Sequence, residues 1–110
     1  MNVQNYFPQS EAKLEVVAPG LKRKIGAYND HLMVVEVHFD TGVTAPLHAH
    51  RHEQITYVMS GKFEFTVGEK TYTVGAGDSL YKEPHIEHGA TCLEAGVLLD
   101  VFTPHREDFI

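Results

Sequence analysis

The stretch G-V-T-A-P-L-H-A-H-R-H-E-Q-I-T-Y-V-M-S-G, running from Gly42 to Gly61, decides the reading of this chain. Successive side chains of a strand point to opposite faces, so His48 and His50, one residue apart, project side by side. The three residues that follow leave room for a short bulge or turn before Gln54 offers an amide oxygen. Gly42 and Gly61 punctuate the two ends as strand boundaries. A lone His-x-His pair is weak evidence, because imidazole is common on ordinary surfaces. Two histidines, an oxygen donor and two framing glycines are much harder to produce by accident. They place His48, His50 and Gln54 where one divalent cation can collect them.

A fourth ligand is sought downstream, in G-A-G-D-S-L-Y-K-E-P-H-I-E-H-G from Gly75 to Gly89. Gly77-Asp78 makes a turn, Leu80 and Tyr81 belong to a short strand, and Pro84 is excluded from a central ladder. His88 then opens a new strand that can fold back beside the first cluster. The two stretches resemble the two motifs of the cupin superfamily. The first of these reads Gly, five residues, His-x-His, three or four residues, Glu, six residues, Gly; this chain keeps every interval with Gln54 where Glu is usual. The second matches in Gly77-Asp78, Pro84 and His88, with Cys92 in place of its closing Asn. The resemblance implies an all-β, single-domain double-stranded β-helix, or jelly-roll barrel, spanning 1–110. It also implies one divalent transition metal held by His48, His50, Gln54 and His88. Glu53 competes with Gln54 as the oxygen donor, and chemistry alone prefers the carboxylate. Only Gln54 fits both intervals, so the spacing selects the amide.

Strand signals elsewhere agree with an all-β fold. L-K-R-K-I-G-A-Y and L-M-V-V-E-V-H-F alternate around an Asn29-Asp30 turn, and Q-I-T-Y-V-M-S, K-F-E-F-T-V, K-T-Y-T-V, A-T-C-L-E and G-V-L-L-D-V-F-T follow. Breaks fall at Gly61, Gly68-Glu69, Gly75-Ala76-Gly77 and Pro104. Helical periodicity over ten or more residues appears nowhere, and many short strands with regular turns mean a sandwich or barrel. The segment up to Gly20 has weak periodicity. Its Tyr6 and Phe7 are expected to cover a sheet edge or a neighbouring subunit, which with the exposed barrel edges predicts a homodimer.

Composition sets limits. A chain of 110 residues, 43% hydrophobic and 22% charged, buries a core as one ordinary globular domain. A formal net charge of -6 with no long basic run argues against nucleic acid or an anionic membrane as partner. The first twenty residues hold no continuous apolar stretch, so neither a secretory signal nor a span is expected. The single cysteine, Cys92, excludes an internal disulfide and fits a reducing cytoplasm; it reads as a small buried apolar residue. Of eight histidines only His48, His50 and His88 have motif spacing. His52 continues the alternation as a neighbour of the site, His85 stands at its mouth, and His31, His38 and His105 read as solvated.

Within G-V-L-L-D-V-F-T, Leu98, Asp100 and Phe102 share one face. A carboxylate there is costly unless it is paired or near a cation. Its plain reading is structural, an Asp accepting backbone hydrogen bonds. Arg106, beyond the Pro104 turn, is close enough to fold back over the strand end. The tail L-L-D-V-F-T-P-H-R-E-D-F, with V-A-P-G-L-K-R-K and H-A-H-R-H-E-Q-I-T-Y-V, resembles a narrower group. These are the small bacterial cupins of pectin and alginate breakdown that linearise 4,5-unsaturated monouronates. In that group three His and a Gln hold the metal, and the catalytic Asp, Phe and Arg fall on Asp100, Phe102 and Arg106. Arg51 departs from the group, where Pro is frequent. The resemblance implies proton transfer by Asp100, as acid or as base, a carboxylate fork at Arg106 and a ring-binding wall at Phe102. Neutral ligands leave the cation's charge uncompensated, which suits a small anionic sugar. Mn, Fe, Ni and Zn all suit imidazole with oxygen donors. A cupin dioxygenase, another sugar isomerase and a non-catalytic sugar-binding module are the alternatives.

Overall fold

Turn residues divide the chain into short segments whose side chains alternate between inside and outside, and each segment is a strand. The computed structural model describes residues 3–110. Its strands are β1 (Leu14–Ala18), β2 (Leu21–Tyr28), β3 (Met33–Phe39), β4 (Thr44–His48), β5 (Glu53–Val58), β6 (Lys62–Val67), β7 (Lys70–Gly75), β8 (Ser79–Lys82), β9 (His88–Glu94) and β10 (Gly96–Thr103). They form a six-stranded sheet, ordered β1-β2-β3-β10-β5-β8, and a four-stranded sheet, ordered β4-β9-β6-β7. The strand pairs within both sheets are antiparallel. The helices among the described residues are two 3-10 turns of three residues each, Gln9–Glu11 and Glu107–Phe109. The all-β, single-domain reading therefore stands.

The sheets enclose a core graded along the strand direction. At one end Val58, Phe63, Cys92 and Leu98 are almost fully buried together with Phe39. Phe39 meets Phe63 edge to face at 5.2 Å between ring centroids, the geometry that aromatic quadrupoles prefer. Each such side chain removed from water contributes roughly 1.5–3 kcal/mol. Moving along β5 and β10, the inward residues change character. Leu98 stands opposite Val58, Asp100 opposite Thr56, and Phe102 opposite Gln54, which in turn faces Lys82 on β8. Polar residues thus gather on β5, β8 and β10 between this apolar cluster and a second, smaller one of Met33, Val35 and Phe102.

Two glycines allow strands to approach. Gly61, at φ 82°, adopts a left-handed conformation where a β-carbon would lie 2.6 Å from the Glu94 carbonyl. At Gly89 a β-carbon would lie 2.9 Å from the Ala45 carbonyl oxygen, so only hydrogen lets β4 come this close to β9. That closeness places His48 directly opposite His88 in the register.

The structure departs from the sequence reading in two places. The weakly periodic segment before Gly20 contains β1, which pairs with β2 at the edge of the larger sheet. Its Leu14, Val16 and Val17 are exposed, so the edge position erases the alternation that would have announced a strand. His50 also lies outside regular structure. β4 ends at His48, its pairing with β9 is irregular between Ala45 and His48, and residues 49–52 form a loop. Strand alternation therefore does not account for the position of His50.

Candidate metal centre and its cavity

The second half of the first motif turns back on itself, and the loop 49–52 brings His50 over the paired His48 and His88. The ligating nitrogens of His48, His50 and His88 lie within 4.8 Å of one another. Each imidazole is oriented by its own backbone. His48 Nδ1 lies 2.9 Å from the Pro46 carbonyl, His50 Nδ1 3.0 Å from that of His52, and His88 Nδ1 3.0 Å from that of Ile86. His50 has an acceptor at both nitrogens, the His52 carbonyl and the Gln54 Oε1. A carbonyl only accepts, so Nδ1 of His48 and His88 carries the proton and their Nε2 keeps its lone pair. This is the orientation by which proteins hold a ligating histidine. Burial lowers the pKa of His50, with the Arg106 charge adding to it, and pushes His88 down to about 4. His88 is therefore a neutral donor at pH 7. His88 Nε2 is buried without a hydrogen-bond partner, an orphan whose natural complement is a cation. The three Nε2 atoms form a cluster able to hold a metal.

Gln54 completes the polar ring. Its Oε1 lies 3.0 Å from His50 Nε2, and the residue is only 4% exposed. Glu53, the competing donor, points outward and accepts a hydrogen bond from the Tyr81 hydroxyl. The loop bearing His50 is tied to the turn before His88, since the His85 N–H donates to the His50 carbonyl at 2.7 Å. His85 holds a left-handed backbone at φ 68° to do so, which a non-glycine residue adopts at some expense.

Behind Gln54 lies a network that the sequence reading did not anticipate. Thr56 is fully buried; its Oγ1 accepts from Lys82 Nζ at 2.7 Å and from Gln54 Nε2 at 3.2 Å, and donates to Asp100 Oδ1 at 2.6 Å. Lys82 is 1% exposed, with its ammonium 4.6 Å from the centre of the Phe65 ring. Burial lowers its pKa, while the nearby Asp100 charge opposes that shift. Lys82 was missed because the motif reading stopped at Leu80 and Tyr81. The signal was present, as Lys82 shares an inward face with Leu80 two residues before it.

These groups open on a cavity of about 190 Å³. His48, Gln54, His88, Asp100, Phe102, Lys82, Arg23, Arg106 and Phe109 are among the residues that line it. Arg106 folds back as its position after Pro104 suggested, with its guanidinium 5.1 Å from the Phe102 ring centre and 4.2 Å from that of Phe109. Its Nε and Nη2 donate to the Asp108 carboxylate at 3.0 and 2.9 Å. Arg23, read only as part of a strand, lies 3.9 Å from the Phe109 ring centre and has a buried Nε without a partner. Three cationic side chains and the single carboxylate of Asp100 line the cavity, while Asp108 on Arg106 and Glu15, 3.5 Å from Arg23, offset two of the cations from beside it.

The remaining histidines are dispersed. His52 is 5% exposed, its ring nitrogens make no hydrogen bond, and it lies edge-on to His50 at 5.4 Å. His85 is exposed and does not line the cavity. His38 pairs with Glu36, His105 bonds the Asp30 carbonyl, and His31 is exposed. Cys92 is buried in the larger apolar cluster.

Comparison with known proteins adds independent findings. The family described as Cupin domain matches residues 35–102. The pectin degradation protein KdgF of Dickeya dadantii (strain 3937) is 38% identical over 110 residues, covering 98% of this chain and 100% of that protein. An RmlC-like cupin from Shewanella frigidimarina NCIMB 400 superposes with a TM-score of 0.93 at 39% identity, covering 98% of this chain and 97% of the other. KdgF from Halomonas sp. superposes with a TM-score of 0.92 at 35% identity, covering 98% and 100%.

Proposed function

The chain belongs to the cupin domain family, and from that premise we propose that it is a metal-dependent enzyme of pectin or alginate breakdown. Its reaction is the opening of cyclic 4,5-unsaturated uronates to linear keto acids. Likeness to the KdgF proteins supports the pathway. The observation that supports the reaction is the meeting, in one cavity, of His48 and His88 of the three-histidine cluster with an inward carboxylate, Asp100.

An unsaturated uronate is a hemiacetal whose ring oxygen is also an enol oxygen. Opening it needs loss of the anomeric hydroxyl proton, cleavage of the bond between C1 and the ring oxygen, and protonation at C4. The electrons of the broken bond pass to the ring oxygen, then through the enolate to C4. C1 becomes an aldehyde and C5 a ketone, so atoms and electrons balance without an oxidant. His48, His50, Gln54 and His88 would hold one divalent transition metal, which supplies positive charge for an oxygen that becomes anionic. Asp100 is the proton-transfer group. It accepts a hydrogen bond from Thr56, so its carboxylate is presented as an acceptor and serves first as base. Arg106 receives the sugar carboxylate in its planar fork, exchanging it for Asp108. Phe102, 2% exposed and 5.8 Å from His50 between ring centroids, forms the wall against the sugar ring.

The test is direct. Purified, metal-loaded protein is incubated with unsaturated galacturonate, and the absorbance of the conjugated enol carboxylate is followed. Loss of absorbance that a chelator abolishes and added metal restores is the expected result. Persistence of the absorbance, or oxygen consumption in its place, would sink the reading.

A further inference from the structure

Among the described residues, the hydroxyl of Thr56 touches both the Gln54 amide and the proposed base, Asp100. We propose that Thr56 is a positioning residue of the centre. Its single hydroxyl proton fixes which way the Gln54 amide faces, and so presents Oε1 to the histidine cluster. The inference rests on the proposed metal-holding role of Gln54 and deepens it.

A threonine hydroxyl has one proton to give and two lone pairs to offer. Lys82 Nζ at 2.7 Å can only donate, and Asp100 Oδ1 at 2.6 Å accepts. The proton is therefore committed to Asp100, one lone pair is taken by Lys82, and one lone pair remains. A donor alone can use it. The Gln54 amide nitrogen, at 3.2 Å, is that donor. Turning the amide over would set Oε1 against a hydroxyl with no proton left, and would aim an N–H2 group at the histidine nitrogens. Glutamate at position 54 would likewise have no proton to give.

Burial makes the arrangement strict. Thr56 is 0%, Lys82 1%, Gln54 4% and Asp100 9% exposed. Solvent is thus poorly placed to satisfy an alternative, and an unpaired polar group in such a setting is costly. Lys82 has its role in the same scheme. Its ammonium occupies the first lone pair and balances the Asp100 charge across the hydroxyl. The amide at 54 and the hydroxyl at 56 therefore require each other, and the register that puts Asp100 opposite Thr56 and Lys82 opposite Gln54 supplies both remaining partners.

The experiment titrates metal-free protein with Zn2+ alone, comparing wild type, Thr56→Val and Thr56→Ser. Valine keeps the shape and deletes the hydroxyl; serine keeps the hydroxyl. Loss of a group that orients a ligand weakens metal binding about 10–100-fold. Thr56→Val is expected to fall in that range and Thr56→Ser to stay close to wild type. Equal affinity in wild type and Thr56→Val overturns the inference, as does a lowered melting temperature with unchanged affinity. If Thr56→Val does not fold, exchange spectroscopy on the wild type decides. The Thr56 hydroxyl and Gln54 amide protons should be protected from solvent and show cross-relaxation with each other; freely exchanging Gln54 amide protons overturn the inference. No sugar enters either measurement. A wild type that opens no uronate yet shows this pattern keeps the Thr56 role and loses the proposed reaction, and turnover with unaltered Thr56→Val binding does the reverse.

Discussion

At the scale of residues, Asp100 and Arg106 carry the proposed chemistry in different ways, and their variants should fail differently. Asp100→Asn keeps an oxygen that accepts from Thr56, so bound metal measured by elemental analysis should be retained. Its turnover should fall by about 10²–10⁴-fold, the range for a general acid–base group. A purely structural Asp100 would show the opposite, lowered thermal stability with normal turnover. Arg106→Ala should raise KM and lower kcat together in steady-state assays, because the fork both binds the carboxylate and orients the ring. A change in neither parameter would assign the carboxylate to Arg23 instead. The meeting of the three histidines, with Gln54 beside His50, was legible because the motif fixes their spacing in the sequence. Thr56, Lys82 and Arg23 were not, since each is an ordinary residue in an ordinary strand. Their roles arise from what stands opposite them on neighbouring strands, which no local pattern reports.

At the scale of elements, strands were legible where one face is buried and turns are marked by glycine or proline. β5 shows this plainly, with Gln54, Thr56 and Val58 inward and Ile55 and Tyr57 exposed. β1 escaped because an edge strand has little burial to impose alternation. The loop at 49–52 was legible only as a short interval between His50 and Gln54. The closeness of β4 and β9 depends on Gly89, and this yields a test. In Gly89→Ala the new methyl group meets the Ala45 carbonyl at 2.9 Å and the Leu47 nitrogen at 3.0 Å. The strands must part, at an expected loss of about 1–3 kcal/mol, the usual effect of overpacking. Urea denaturation should report that loss, and Zn2+ titration should report weaker binding because His48 is displaced from His88. Unchanged values in both would mean that β4 adjusts freely.

At the scale of the whole molecule, a chain of net charge -6 encloses a cavity lined by Arg23, Lys82 and Arg106. A small anion reaching the cavity would meet these side chains, while the chain's overall charge repels polyanions at long range. No helix among the described residues is long and apolar enough to cross a membrane. The outer face of β5 and β8 exposes Ile55 at 47%, Tyr57 at 45% and Tyr81 at 53%. β8 ends its sheet, leaving a strand edge beside this apolar face. Such a surface suits pairing with a second copy. Light scattering at micromolar concentration should report a homodimer, and a monomer throughout would contradict this.

The central claim is that the metal cluster and Asp100 together open an unsaturated uronate ring. Carbon and proton spectra of metal-loaded protein with unsaturated galacturonate in deuterated water test it most directly. The account predicts conversion of the C4–C5 alkene to a C5 ketone, an aldehyde or its hydrate at C1, and solvent deuterium at C4. It also predicts that Asp100→Asn leaves the alkene largely intact over the same period. An unchanged alkene with the wild-type protein, or equal conversion by wild type and Asp100→Asn, would contradict it.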